Sequence, residues 1–369
     1  MRVHQIDTGE LVGRARGEAL GRRFAAEIGA AAAAYTEFFR ELGIADETVA
    51  HTLAGCEAAL ADWAPHLAAE IEAVAAGAGM PSRSVLLLNS RTEILAGEPV
   101  PTTISAGECS TLVRVPPGGD DTTGPVLSTQ TWDWARRLTP DGVLWRYATD
   151  GGGWVKTFAE PGMLAKIGIN DRGLAVHFNF LDHLTDTVEG GVPLHAIVRR
   201  ILDDASTVDE AIELARSARV GASSVITVVA AGDAGTYPEA ASVEISPAGV
   251  AAVRPDERGW LLHTNHFLDP GLAAGEVVDP EGSTRPRLAH LRSILADDLA
   301  ELAPLELAGR LCGTAGAAAP ICVREDPAKP PTDRWSTLLT LRLDPAGGLV
   351  HYGEGSPAEV AAAGSTRNF

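Results

Sequence analysis

Residues 107–134 read GECSTLVRVPPGGDDTTGPVLSTQTWDW. Two β-like runs, 111–115 and 125–134, flank a cluster of Pro, Gly, Asp and Thr at 116–124. Two such runs separated by turn-forming residues predict a β-hairpin. The residue composition of the chain changes here, because Ala-rich sequence precedes the hairpin and strand-like sequence follows it.

A simple hairpin register brings a thiol close to a carboxylate. It sets Cys109 opposite Trp132 and next to Asp133, and the Cα atoms of directly opposed residues lie about 4.5–5.5 Å apart. Asp133 can then orient an amino group of the nucleophile or hold a proton; the alternative is a solvated residue at a strand end. Cys109 follows a linker-like stretch, whereas Cys56 lies in an apolar segment. A buried, inert thiol is the alternative for Cys109.

The sequence before the hairpin predicts helices from residue 12 to about 97. The stretch 11–42 is Ala-rich with few helix breakers, and 45–76 has apolar residues at three- and four-residue spacings. Pro65 is expected to kink or divide this second segment. A third helix is predicted at 82–95, and the Gly- and Pro-rich stretch before Cys109 reads as an exposed linker.

The sequence after the hairpin contains strands and helices in blocks. The predicted strands are 145–147, 164–169, 174–179, 225–230, 241–245, 260–263, 336–343 and 349–352, and the predicted helices are 193–204, 207–218 and 286–302. Internal repeats and a regular βαβ alternation are both absent from the sequence, which favours a layered α+β fold. We divide the chain into a helical part, 1–108, and a sheet-rich part, 109–369, that together form one folded unit.

Composition excludes several classes of function. The formal net charge is −19, so nucleic acid and anionic membranes are unlikely partners. Dinucleotide-binding and P-loop motifs are lacking, so no cofactor is expected. The four cysteines form no CxxC pair, and we interpret Cys312 and Cys322 as structural. Without an apolar run of about 20 residues or a signal-peptide pattern, a cytoplasmic protein with reduced thiols is expected.

Several motifs together resemble the acyl-coenzyme A:6-aminopenicillanic acid acyltransferase family of N-terminal-nucleophile hydrolases (peptidase family C45). They occur in the family's order and span roughly residues 12–352. These motifs are RTEI at 91–94, GECSTLVRVP at 107–116, STQTWDW at 128–134, GMLAKIGINDRGLAVHFNFL at 162–181, GVPLHAIVRRIL at 191–202, GASSV at 221–225, LLHTNHF at 261–267 and DRWSTLLTLRLD at 333–344.

The resemblance implies a four-layer αββα sandwich with a helical N-terminal segment, made as a precursor (zymogen). It also implies autoproteolysis between Glu108 and Cys109, after which Cys109 is the nucleophile and its α-amino group the base. An α-amino group titrates near 7.7–8.0 and a Lys amine near 10.4, so the former is a usable base near neutral pH. The chain departs from the family pattern at Glu108, where Gly is usual, and this departure affects the efficiency of cleavage.

The resemblance assigns roles to four further residues. Asn265 corresponds to an oxyanion-hole donor, and Ser224 to a Ser linked to processing; an Asn in a turn and a small strand residue are the alternatives. Arg334 corresponds to an Arg near the pocket, able to pair with Asp133 or a substrate carboxylate, unless it is a surface Arg. Arg91 structures the linker before cleavage, or is a helix-surface Arg.

The resulting hypothesis is an N-terminal-cysteine amidohydrolase or N-acyltransferase. Its substrate is a linear amide, or an acyl thioester, of a small molecule, its two self-cleaved fragments stay associated, and a homo-oligomer is possible. The alternatives are a non-catalytic binding protein on the same fold and an uncleaved Cys–His hydrolase that uses His263 or His266. These two histidines lack a carboxylate at ligand spacing, so no metal is expected. Trp132 and Trp134 alternate with Asp133 and are predicted to face the core.

Overall fold

The computed structural model of the chain describes residues 1–96, 109–117, 124–232, 236–280 and 282–369. The predicted linker before Cys109, with Glu108, and most of the predicted turn at 116–124 lie outside these ranges.

Helices and strands alternate in blocks along the described residues. The helices are α1 (Gly13–Arg23), α2 (Ala25–Glu41), α3 (Asp46–Trp63), α4 (Pro65–Ala78), α5 (Ser82–Asn89), α6 (Arg91–Ala96), α7 (Leu194–Asp204), α8 (Val208–Ser217), α9 (Pro270–Ala273), α10 (Thr284–Ser293), α11 (Pro304–Leu311) and α12 (Pro357–Ala363). The strands are β1 (Arg2–Asp7), β2 (Ser110–Arg114), β3 (Leu127–Trp134), β4 (Asp141–Ala148), β5 (Trp154–Ala159), β6 (Ile167–Asn170), β7 (Leu174–Phe180), β8 (Ser224–Ala230), β9 (Glu239–Ser246), β10 (Gly249–Val253), β11 (Trp260–His263), β12 (Ser336–Asp344), β13 (Leu349–Glu354) and β14 (Arg367–Asn368).

Two sheets pack face to face. One has eight strands in the order β1-β4-β5-β6-β7-β8-β9-β10, and the other has six in the order β11-β2-β3-β12-β13-β14. Trp132 of β3 contacts Phe158 of β5 edge to face, with ring centroids 5.2 Å apart. Helices α7 and α8 pack on the eight-stranded sheet, and α10 and α12 on the six-stranded one. This is the predicted four-layer αββα sandwich.

The N-terminal helices pack closely against one another. The contact between α1 and α4 requires glycine, because a Cβ atom at Gly21 would lie 2.0 Å from the Val74 carbonyl oxygen. Pro65 begins α4 and Gly79, with φ +69°, ends it, so Pro65 divides the predicted 45–76 segment as the sequence indicated. The helical content of this part of the chain is therefore confirmed.

Some predicted elements differ from the structure. The predicted helix 286–302 ends at Ser293 and is followed by a separate 3₁₀ turn. The Ala-rich stretch 11–42 forms two helices that meet at Phe24, whose φ of −120° is not helical. Strands β1, β5, β10 and β14 were not predicted from the sequence. Strand β1 pairs in parallel with β4, a partner remote in sequence that local patterns cannot reveal.

Cys312 and Cys322, interpreted as structural, are buried, and so is Cys56 of the apolar segment. Cys56 is enclosed in α3, while Cys312 and Cys322 have their sulfur atoms 3.9 Å apart in the layer outside the six-stranded sheet. Across the described ranges, the helices are too short or too polar to serve as membrane-spanning segments.

Candidate active site

Cys109 lies at the start of β2, in the predicted register. Ser110 pairs with Thr131, so the residue before it faces Trp132. The thiol is buried, with 4 % of Cys109 exposed, and its Sγ lies 3.8 Å from the backbone oxygen of Asp133. Asp133 is completely buried, which rules out the solvated strand-end interpretation.

The surroundings of Cys109 disfavour its thiolate. Burial raises the pKa of the thiol to about 12, and the Asp133 charge adds to this effect. Arg287 and Lys166 act in the opposite direction with smaller influence. The thiol is therefore protonated near neutral pH, and a nucleophilic role for Cys109 requires a base.

Arg287 of α10 joins Cys109 to Asn265. One guanidinium nitrogen donates to the Cys109 carbonyl oxygen at 2.6 Å and to Ser110 Oγ at 3.0 Å. The other terminal nitrogen donates to Asn265 Oδ1 at 3.0 Å. Because the guanidinium is planar and always charged, these hydrogen bonds from its two terminal nitrogens fix the distance between Cys109 and Asn265.

The side-chain amide of Asn265 has a fixed orientation. Its oxygen accepts from Arg287, and its Nδ2 donates to the Phe180 carbonyl oxygen at 2.8 Å. Its backbone N–H donates to Thr284 Oγ1 at 2.8 Å. An amide NH₂ has two hydrogens, so one N–H is engaged by Phe180 and the other can serve a ligand.

Ser224 and Asn179 connect the two sheets next to Cys109. Ser224 begins β8, is buried, and donates to the Asn179 carbonyl oxygen at 2.9 Å. Asn179 Nδ2 donates to the Cys109 carbonyl oxygen at 3.1 Å, and its Oδ1 accepts from Thr111 and Gln130. Ser224 thus reaches Cys109 through one intervening residue, and its predicted link to processing stays a prediction.

A buried charged cluster lies on the other side of Cys109. Arg91 of α6 pairs with Glu160 at 2.9 Å, and Glu160 also pairs with Lys166. Burial opposes the charge of Glu160, but Arg91 and Lys166 outweigh it and hold its pKa at about 2. Arg91 is 3 % exposed and lies over the Trp134 ring at 4.1 Å, so the helix-surface interpretation is wrong.

Three other candidate residues lie away from this cluster. Arg334 donates to the carbonyl oxygens of Pro327 and Lys329, so the suggested pair with Asp133 is not formed and its role toward a substrate stays a prediction. His263 binds Glu244 and the Thr264 carbonyl, and His266 binds Thr284. In the part of the chain that the structure describes, no group of three His, Cys, Asp or Glu side chains could hold a metal ion.

Trp132 and Trp134 are buried, as predicted, with 2 % and 4 % of each residue exposed. Asn179, Arg287, Lys166 and Glu160 were not predicted from the sequence as parts of the site. The first and third lie within the quoted motif at 162–181, so this motif was a usable signal for them. Arg287 stands in an ordinary helical sequence, and only the fold reveals its contact with Cys109.

Comparisons with known proteins identify relatives. The family model described as acyl-coenzyme A:6-aminopenicillanic acid acyl-transferase matches residues 122–358, a range that begins after Cys109. The 40 kDa form of acyl-coenzyme A:6-aminopenicillanic-acid-acyltransferase from Emericella nidulans is 28 % identical over 233 residues, 62 % of this chain and 60 % of that protein. The chain thus spans less than two thirds of the length of this curated relative.

Two solved structures are similar in fold. Penicillin V acylase from Agrobacterium tumefaciens has a TM-score of 0.42 and 16 % identity, covering 67 % of this chain and 83 % of its own. A mutant conjugated bile acid hydrolase from Clostridium perfringens has a TM-score of 0.44 and 10 % identity, covering 71 % and 92 %. Since the family model matches well over half of the sequence, the chain belongs to the acyl-coenzyme A:6-aminopenicillanic acid acyl-transferase family.

Proposed function

We propose that this chain is an enzyme that cleaves itself between Glu108 and Cys109 and then acts as an N-terminal-cysteine amidohydrolase or N-acyltransferase. The substrate class is a linear amide, or an acyl thioester, of a small molecule. Family membership supports this proposal, and the four free thiols fit a reducing, cytoplasmic location.

One observation carries the proposal: Arg287 donates both to the carbonyl of Cys109 and to the side chain of Asn265. A nucleophile and an oxyanion donor must be held at a fixed separation for acyl transfer, and a single guanidinium holds these two. Asp133 lies at the same strand end, with its backbone oxygen 3.8 Å from Cys109 Sγ.

The reaction proceeds in two steps through a thioester. The Cys109 thiol attacks the substrate carbonyl carbon, its proton passes to the α-amino group of Cys109, and the C–N bond breaks as the leaving amine takes that proton. Water or a second amine then attacks the acyl-Cys109 thioester and restores the thiol. Asp133 orients the α-amino group, which is ammonium after the first proton transfer.

Hydrolysis and transfer differ only in the second nucleophile. A transferase must keep water away from the acyl-enzyme, and a coenzyme A thioester brings several phosphate charges. The net charge of −19 gives the protein little attraction for such a polyanion. We therefore favour amide hydrolysis.

The uncleaved Cys–His alternative has little support. His263 is fully buried, with both ring nitrogens engaged by Glu244 and the Thr264 carbonyl. His266 contacts Thr264 and Thr284, and burial lowers its pKa to about 4. A histidine held in this way is a poor base for a thiol whose pKa is about 12.

The acyl-enzyme is the species that tests this function. Acyl 4-nitroanilides of increasing acyl length, and the matching thioesters of a simple thiol, are mixed with the protein and quenched in acid. We expect the acyl mass on the 109–369 fragment, its removal by hydroxylamine, and release of 4-nitroaniline. Turnover that persists in Cys109→Ala would contradict the proposal. Binding of these probes without turnover or adduct would favour the binding-protein alternative.

Asn265→Ala should lower kcat by roughly 10²–10³-fold with a smaller change in KM. The lost amide N–H stabilises the oxyanion in the transition state more than the substrate in its ground state, and one such donor contributes about 2.7–4 kcal/mol. The assay is steady-state release of 4-nitroaniline by the cleaved variant. Asn368→Ala, at an exposed asparagine of β14, is the control. Equal kcat values for the two variants would show that Asn265 does not stabilise the transition state.

A further inference from the structure

Self-cleavage of the precursor must proceed without the α-amino group of Cys109, which is the base in later substrate turnover. Before cleavage, the nitrogen of Cys109 is part of an amide bond and accepts no proton. The thiol it must activate is 4 % exposed, and its pKa is raised to about 12 by burial and by Asp133. The precursor therefore needs another proton acceptor that faces Cys109 from within the protein.

Lys166 faces Cys109 from the opposite sheet. It directly precedes β6, is completely buried, and its Nζ lies 4.3 Å from the centre of the Trp132 ring. Trp132 is the residue that the β2–β3 register sets opposite Cys109. The ammonium charge of Lys166 acts on the thiol, and the thiolate charge acts on Lys166 in return.

We propose that Lys166 is the proton acceptor for self-cleavage of the precursor. This inference rests on the proposed function and deepens it. Neutral Nζ takes the thiol proton as Sγ bonds to the Glu108 carbonyl carbon. The tetrahedral intermediate then collapses, the Glu108–Cys109 C–N bond breaks, and the new α-amino group receives the proton from Nζ. Water hydrolyses the resulting thioester to the Glu108 carboxylate and the free thiol.

The charges around Lys166 suit this role. The groups that face it are Glu160, Arg91, His195 and Cys109. Burial, and then Arg91, lower the pKa of Lys166 to about 7, although Glu160 opposes them. Glu160 is ionised and His195 is neutral in this range, because burial keeps the His195 pKa well below its usual value.

Other groups near Cys109 are less suitable. Arg287 remains protonated and cannot accept a proton. The contact of Asp133 with the thiol is made by its backbone oxygen, 3.8 Å from Cys109 Sγ, and a backbone carbonyl is too weak a base to take the thiol proton. Arg91 lies in the segment before the cleavage site. Because Arg91 pairs with Glu160, and Glu160 pairs with Lys166, this segment helps to set the charge around the proton acceptor.

The experiment compares cleavage rates of newly refolded precursor for wild type, Lys166→Met, Lys166→Arg and the control Lys156→Met. Lys156 lies on the neighbouring strand β5 and also contacts an aromatic ring, Trp154, but from a half-buried position away from Cys109. Lys166→Met leaves Glu160 paired with Arg91 at 2.9 Å, so it does not leave an unpaired carboxylate. Intact mass gives the rates, and circular dichroism confirms folding of each variant.

We expect both Lys166 variants to cleave at least ~10²-fold more slowly than wild type, the usual contribution of general base catalysis, and Lys156→Met to cleave at the wild-type rate. The wild-type rate should rise with pH through about 7, as Lys166 loses its proton. Glu93, Asp182 and Asp186 have pKa values between about 6 and about 8, so their titration falls in the same pH range. The rise should vanish in Lys166→Arg, and this loss identifies Lys166 as the titrating group.

Four results overturn the inference. A wild-type rate in Lys166→Met excludes any role for Lys166, and a wild-type rate in Lys166→Arg reduces that role to positive charge alone. A wild-type rate that is flat across neutral pH overturns it even if the variants fail to fold. If neither the wild type nor Glu108→Gly cleaves, the proposed self-cleavage is overturned as well, so the two failures are distinguishable.

Discussion

Replacing Cys109 by alanine should leave a single chain of 369 residues, whereas wild type should yield two fragments, residues 1–108 and 109–369. Alanine has no atom that can attack the Glu108 carbonyl, so the N-to-S acyl shift cannot begin. The measurement is intact mass under denaturing conditions. An all-or-none difference is expected, because no other cysteine lies next to that bond.

The matched control is Cys56→Ala, which removes a buried thiol of α3 and should cleave as wild type does. An uncut wild type that hydrolyses amides would contradict the N-terminal-nucleophile mechanism. An uncut and inactive wild type has two explanations, which Glu108→Gly separates. Cleavage of this variant would identify a stalled precursor, and its persistence as one chain would mean that the mechanism is wrong.

The sequence was sufficient to predict the pairing at the nucleophile. A hairpin depends on two neighbouring runs and a turn, so its register follows from counting residues. Ser110 pairs with Thr131 as that count requires. The same local argument predicted the burial of Trp132 and Trp134 on one face of β3.

The rest of the candidate site depends on contacts between distant parts of the chain. Arg287 lies 178 residues after Cys109, whose carbonyl it binds, and Asn179 lies 70 residues after it. Hydrophobic periodicity predicts that α10 forms a helix but does not predict which strand it meets. The family resemblance predicted Asn265 as an oxyanion-hole donor, and only the structure shows which residues orient its amide.

Buried charges were the hardest feature to predict. Charged residues are rarely buried unless they are paired, so a sequence pattern assigns them to the surface. Arg91 and Glu160 are buried because each neutralises the other, and they lie on α6 and after β5, far apart in sequence. Such pairs can be identified only from the folded structure, in which the two distant segments of the chain lie side by side.

A second buried network joins the two parts of the chain that self-cleavage would separate. Glu70 of α4 pairs with Arg16 of α1 at 2.5 Å and with Arg199 of α7 at 3.1 Å. Arg199 also pairs with Asp203 at 2.8 Å, and all of these except Asp203 are at most 2 % exposed at the side chain. Arg16 and Glu70 precede the proposed cleavage site and Arg199 follows it, so this network should hold the fragments together.

Glu70→Gln should destabilise the protein by about 3–5 kcal/mol, the usual effect of removing one partner from a buried ion pair. The neutral amide removes the shared carboxylate from two buried guanidinium groups: Arg199 keeps only Asp203, and Arg16 keeps only the exposed Asp150 at 3.8 Å. Burial opposes the charge of Glu70, but Arg199 and Arg16 outweigh it and lower its pKa. The carboxylate therefore stabilises the fold at neutral pH, and this contribution is lost as the pH falls. The measurement is urea unfolding at neutral pH in the uncleaved Cys109→Ala background, where both parts belong to one chain.

The control for this prediction lies half a turn away on the same helix. Glu72 pairs with Arg14 at 2.9 Å, with 59 % and 56 % of the two side chains exposed, so Glu72→Gln should cost no more than about 1 kcal/mol. In the cleaved protein, Glu70→Gln should also release the 1–108 fragment at a lower urea concentration than Glu72→Gln does. If the two substitutions cost the same, the network does not stabilise the contact between the fragments, and apolar packing alone must hold them together.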